Sequence, residues 1–242
     1  MRRIVTIIFL ALFLFPAFGF AEEYVFGKGT GVGVCEEFYK NIRRFHPRDI
    51  ACYMQFDSDF KDFEAIEWEE WDLNEHKDLA IKIKKFLTFG DQFAKIADLD
   101  DERLFVPDLK NNPDFITDAM YFARIDIFNE GVPQNVIRYS EGHCMRTRPF
   151  AKFLLVLNRD NNLIDVKKTD PLMQNPSADK SLRGRIAAGI YNIYDAFTYK
   201  RRTYISHYVG IGNFCNEPLI IYELSGQKAK QICRYKTVIW CK

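Results

Sequence analysis

Four histidines, six cysteines and a dense set of carboxylates are the residues of this 242-residue chain with chemistry to offer. His143 stands beside Cys144, the composition of a thiol nucleophile and its base, but adjacent side chains rarely align for proton transfer. Ser206-His207 falls in a segment that reads as strand, where neighbours project to opposite faces. His46 and His76 complete the set. No Gly-x-Ser-x-Gly, P-loop or His-Glu-x-x-His pattern occurs. The run Gly27-Lys28-Gly29-Thr30-Gly31-Val32-Gly33 has the composition of a phosphate-binding loop. No strand is evident before it, so it reads as a flexible leader.

The carboxylates gather in two groups, Asp57, Asp59 and Asp62, then Glu67, Glu69 and Glu70 beside Trp68 and Trp71. Paired acids next to aromatic rings are what a glycosidase subsite uses, so a glycan hydrolase of the cell envelope with its acids in residues 57–70 is the alternative function. A solvated acidic face accounts for the same residues. Asp126, Asn129 and Gly131 offer oxygens as a calcium hairpin does, but the spacing Asp-x-x-Asn-x-Gly fits a plain turn. The residues therefore name no catalytic group, no metal ligand and no cofactor.

Charge is more informative. Residues 22–130 carry 25 acidic and 14 basic side chains, net −11, whereas residues 131–242 carry 8 and 18, net +10. The net +1 of the whole chain is thus a cancellation, and it gives no reason to expect nucleic acid as a partner. Two halves of opposite sign either attract across a packing interface or present a basic face to an anionic partner. Candidates for that face are Arg146, Arg148, Arg183 and Arg185, together with the segment Lys200-Arg201-Arg202 flanked by Tyr199 and Tyr204.

Elements that must position these residues change near residue 120. Before it, Phe38, Ile42 and Phe45 mark a helix over 35–45. Leu79, Ile83, Phe86 and Leu87 mark a stronger one over 74–89, with Asn74 as its cap and Gly90 as its stop. A third helix is expected over 92–99. Trp68 and Trp71 sit in an acidic extended stretch and read as core anchors. After residue 120 the period shifts to two. Four hairpins are expected, 122–128 with 134–139, 150–157 with 163–168, 191–198 with 203–208, and 219–224 with 229–235. The expected class is α+β, a helical N-terminal part packed on an antiparallel sheet or barrel of about eight strands. The break over 169–188 reads as a long exposed loop.

Arg2 and Arg3, the apolar run Ile4 to Phe15 and the ending Gly19-Phe20-Ala21 have the form of a secretory signal peptide over residues 1–21. Residues 22–242 then make a single domain, exported to the periplasm or secreted, with no transmembrane segment in the mature chain. Export makes the even set Cys35, Cys52, Cys144, Cys215, Cys233 and Cys241 candidates for disulfides, which six cysteines can form in 15 ways. Cys35 with Cys52 is the favoured first pair because it closes a short polar loop.

The stretch Phe122-Ala-Arg-Ile-Asp-Ile-Phe-Asn-Glu-Gly131, with Asn135-Val-Ile-Arg-Tyr139 after it, resembles one hairpin of an FG-GAP repeat. The chain as a whole resembles uncharacterised exported proteins of Gram-negative bacteria, which join a helical, cysteine-bearing part to tyrosine-rich hairpins such as Tyr199 to Tyr204. That resemblance implies a compartment and no activity. The function expected is binding, to a partner protein or an anionic envelope component, through the basic β half.

Overall fold

The computed structural model describes residues 24–45, 60, 62–89, 118–141, 151–172, 190–211, 218–226 and 228–237. Alternating β-branched and aromatic residues build most of it as strands. These are β1 (Tyr24–Lys28), β2 (Glu69–Trp71), β3 (Asp118–Ile125), β4 (Gln134–Glu141), β5 (Ala151–Val156), β6 (Ile190–Tyr199), β7 (Arg202–Ile211), β8 (Pro218–Ser225) and β9 (Lys228–Thr237). They form one sheet in the order β1-β9-β8-β7-β6-β5-β4-β3-β2. Neighbours are antiparallel except β5 and β6, which meet in parallel at Lys152 and Ile193. Among the described residues three helices accompany the sheet, α1 (Gly33–Ile42), α2 (Lys77–Phe89) and the short α3 (Val166–Thr169).

Three of the four expected hairpins form, β3–β4, β6–β7 and β8–β9. The one expected over 150–168 does not. Beyond β5 only Leu157 and Ile164 pair, and the chain then winds into α3. Asp165 starts that turn by accepting the Lys168 amide at 3.1 Å. Thr169 Oγ1 accepts the Val156 amide at 2.9 Å, ending β5 where a returning strand was expected.

The helical N-terminal part is borne out only in part: α1 and α2 lie there, but the acidic part also supplies both edge strands, β1 against β9 and β2 against β3. The glycine run is no loose leader. Its first residues belong to β1, Gly29 turns the chain at φ 101°, and α1 starts at Gly33. A Cβ on Gly29 would stand 2.7 Å from Cys35 Sγ and 2.9 Å from the Ile232 carbonyl oxygen, so only glycine fits there.

Cys35 is bonded to Cys233, with Cα atoms 5.6 Å apart, and not to Cys52. Loop length favoured the near cysteine, but α1 lies on the sheet and turns Cys35 toward β9. Tyr235 of β9 reinforces the junction by donating its hydroxyl to the Cys35 carbonyl at 2.8 Å. Cys52, Cys144, Cys215 and Cys241 lie outside the described residues, as do the signal-like segment 1–21, the helix expected over 92–99, and most of the loop expected over 169–188.

Both sheet faces are buried. On one, Phe38 of α1 stacks on Phe60, Phe197 and Tyr235 at 5.4, 5.5 and 5.6 Å between ring centroids. On the other, Leu79, Ile83, Phe86 and Leu87 of α2 join Met120, Ile137, Tyr139, Phe153, Leu155 and Ile205 in one cluster, against which Trp71 packs. Asp72, and not Asn74, caps the approach to α2. Its carboxylate accepts the Asn74 and Glu75 amides at 2.7 and 3.3 Å, which holds its pKa below the usual carboxylate range.

The sheet curls on itself. Asn129, in the β3–β4 turn at φ 57°, donates to the Thr203 and Leu224 carbonyls at 3.0 and 3.1 Å. It also accepts the Thr203 amide at 2.7 Å. One end of the β3–β4 hairpin is thereby tied to β7 and β8, strands well removed from it in the sheet order. Asn129→Ala should lose these bonds and place alanine in a left-handed conformation, costing about 2 kcal/mol in urea unfolding. Unchanged stability would mean that this tie does not hold the curl.

Candidate functional site

Strands β6 and β7 pair from Ile190–Ile211 down to Tyr199–Arg202, which leaves Lys200 and Arg201 alone to make the turn. Their φ angles are 49° and 62°. A two-residue turn with both residues left-handed matches the twist of a hairpin and favours Asn-Gly. A residue with a Cβ costs roughly 1–2 kcal/mol in that region. The long ladder and the burial beneath it hold the tip in place. Tyr199 and Tyr204 are buried in the α1 cluster, and Phe197 stacks on Tyr204 at 5.7 Å. Burial, with Glu223 nearby, raises the Tyr204 pKa. The tyrosines therefore support the tip from below. Arg202 pairs with Glu223 of β8. Lys200 and Arg201 are exposed, with Lys200 Nζ 5.2 Å from the Tyr199 ring centroid. Arg146, Arg148, Arg183 and Arg185 lie outside the described residues.

Among the described acids no convergence is seen. Asp62, Glu67, Glu69 and Glu70 are exposed, and Glu69 and Glu70 are successive residues of an edge strand, projecting to opposite faces. Asp57 and Asp59 lie outside the described residues. Glu36 accepts the Gly31 amide at 2.7 Å, so the glycine turn before α1 already holds a carboxylate where a phosphate would sit. Asp126 closes its own turn by accepting the Glu130 and Gly131 amides at 3.0 and 2.7 Å.

The histidines are structural where they are described. His76 stacks on Trp71 at 4.2 Å. His207 is buried with its ring 3.9 Å from that of Tyr194, and loss of solvent pushes its pKa down to about 3. Ser206 faces the other way and bonds the Asp195 carbonyl at 3.4 Å, so no Ser-His pair forms.

One polar group was missed from the sequence. Arg138 of β4, Lys152 of β5 and Asp195 of β6 project from the same face as α1, where β5 and β6 meet only at their parallel bridge. Arg138 Nη1 lies 3.6 Å and Lys152 Nζ 3.8 Å from the two Asp195 oxygens. Burial lowers the Lys152 pKa, Asp195 opposes the shift and Arg138 adds to it. The signal was available, since Lys152 and Asp195 interrupt otherwise apolar strands, but their meeting depends on a parallel pairing that replaced an expected hairpin.

Fold and site together define a curled, mostly antiparallel sheet protein with a helix on each face, a deep disulfide and a cationic hairpin tip. Comparison with protein families, with curated proteins and with solved structures finds no match to this chain.

Proposed function

We propose that this is an exported binding protein that uses the tip of the β6–β7 hairpin to engage an anionic component of the cell envelope. The observation that carries this reading is the pair Lys200 and Arg201, two exposed cations held in backbone conformations that the turn would adopt at lower cost with Asn-Gly. Charge distribution supports it. The ion pairs of Lys40, Lys84, Arg138, Lys152, Lys168 and Arg202 each join residues of the same half of the chain. Residues 131–242, which carry the tip, hold 18 basic against 8 acidic side chains. Export is supported by the signal-like start and by an oxidised Cys35–Cys233 bridge. Among the described residues, no helix is long and apolar enough to cross a membrane.

Two tip variants separate charge from strain. Lys200→Asn/Arg201→Gly should stabilise the protein by about 1–2 kcal/mol and elute from a heparin column at lower salt than wild type. Lys200→Gln/Arg201→Gln should elute early with no gain in stability. Wild-type elution of both variants would remove the tip from the binding surface. Co-purification of an acidic protein from envelope extract, lost in both variants, would identify the occupant as a partner protein.

A further inference from the structure

Residues 64–71 run across the outer face of the sheet. Glu64 bridges Thr198 of β6, while Glu69, Glu70 and Trp71 pair with β3 beyond the opposite side of β4. The intervening residues therefore pass over β5, β4 and β3, and Trp68 comes to lie on Arg138. Register places Tyr121 directly beside Arg138 on β3. The guanidinium carbon stands 4.7 Å from the centroid of each ring, so Arg138 is clamped by two aromatic side chains.

The clamp fixes the guanidinium without using its donors. Its one acidic neighbour among the described residues, Asp195, is reached from Nη1 at 3.6 Å, beyond the 2.7–2.9 Å of a charge-assisted hydrogen bond. The Arg138 side chain is 20% exposed. Its N–H fork is thus held rigid, partly desolvated and still reachable. Lys152, 18% exposed and 3.8 Å from Asp195, adds a second cation on the same side. A rigid planar fork beside a second positive charge matches a planar anion with two oxygens. A fork pairs bidentately with phosphate as well as with carboxylate, but the remaining oxygens of a tetrahedral anion stand out of the guanidinium plane, toward the rings of Trp68 and Tyr121, and a nucleic-acid backbone would need a row of cations.

We infer that the seam between β5 and β6 is a binding site for a small carboxylate, which pairs with the Arg138 fork between Trp68 and Tyr121 and lies in the field of Lys152. This site is independent of the hairpin tip and stands or falls without it. Side-chain clamping accounts for its selectivity, because both rings restrict the fork to one plane.

Calorimetric titration of the oxidised full chain with sodium succinate, against sodium chloride of equal ionic strength and against inorganic phosphate, tests it. Succinate should bind with saturation and phosphate more weakly. Arg138→Lys keeps the charge and loses the fork, and should weaken succinate by about tenfold. Lys228→Gln, which removes an exposed cation elsewhere on the basic half, should bind as wild type does. Should Arg138→Lys not fold, Trp68→Phe takes its place, since a smaller plate loosens the clamp and should weaken succinate severalfold. Equal binding of succinate and phosphate, no saturation by succinate, or wild-type affinity in the folded Arg138→Lys or Trp68→Phe protein would overturn the assignment.

Discussion

Replacing Cys35 and Cys233 together by alanine should lower stability by about 4 kcal/mol. The two cysteines are 198 residues apart, and a cross-link over so long a stretch removes more entropy from the unfolded chain than one over a short loop. The bridge also fixes α1, and with it Phe38, whose ring touches Phe60, Phe197 and Tyr235. Alanine is the right replacement because both sites are fully buried and a serine hydroxyl there would need a partner. Urea unfolding of the double variant measures the effect. A loss under about 1 kcal/mol would mean that aromatic packing and the Tyr235 hydrogen bond hold α1 without the staple.

Acid should destabilise the protein through His207, and the direction follows from its burial. Burial pushes its folded pKa down to about 3, below the 6.5 of a solvated imidazole. Between those values the unfolded chain binds a proton that the folded chain refuses. Stability from the neutral imidazole is therefore complete above about pH 6.5 and is lost progressively as pH falls toward 3. At pH 4 the loss amounts to roughly 3 kcal/mol at 1.36 kcal/mol per pH unit. His207→Phe keeps an aromatic ring against Tyr194 and cannot titrate, so its stability should fall by roughly 3 kcal/mol less than that of wild type between pH 7 and pH 4. Carboxylates contribute to the acid limb of both proteins and cancel in the comparison. Equal falls would show that the His207 site opens to water before it is protonated.

Much of the fold was legible because its signals are local. The 3.6-residue spacing of Leu79, Ile83, Phe86 and Leu87 requires only one helix face to be apolar, and α2 is found there. Period-two alternation around Lys200 and Arg201 located β6 and β7 to within one to three residues at each end. The two edge strands were not legible. β1 is five residues and β2 three, too short to show a period, and each becomes a strand only because a longer neighbour offers it unpaired backbone groups. The segment after β5 misled for the opposite reason. Leu163 to Lys168 alternates well enough for a strand, but Asp165 captures the Lys168 amide and starts a helical turn first.

The candidate site divides in the same way. A cationic hairpin tip can be read from three consecutive basic residues between two alternating segments, because turn and ladder lie within one stretch of chain. That Lys200 and Arg201 both sit in the left-handed region follows only from the pairing of Tyr199 with Arg202, which shortens the turn to two residues. The seam group was beyond sequence reasoning. Arg138, Lys152 and Asp195 come from three strands, and the parallel step from β5 to β6 sets their distances.

By itself the sequence determined the β-rich character of the second half, the place of α2, the cationic tip and the separation of charge between the halves. Each of these follows from residues within a few turns or one hairpin of one another. Tertiary structure decided the partner of Cys35, the two edge strands, the curl tied by Asn129 and the clamp around Arg138. Those depend on which distant segments meet, and chain proximity carries no information about that once a nine-stranded sheet closes over its own core.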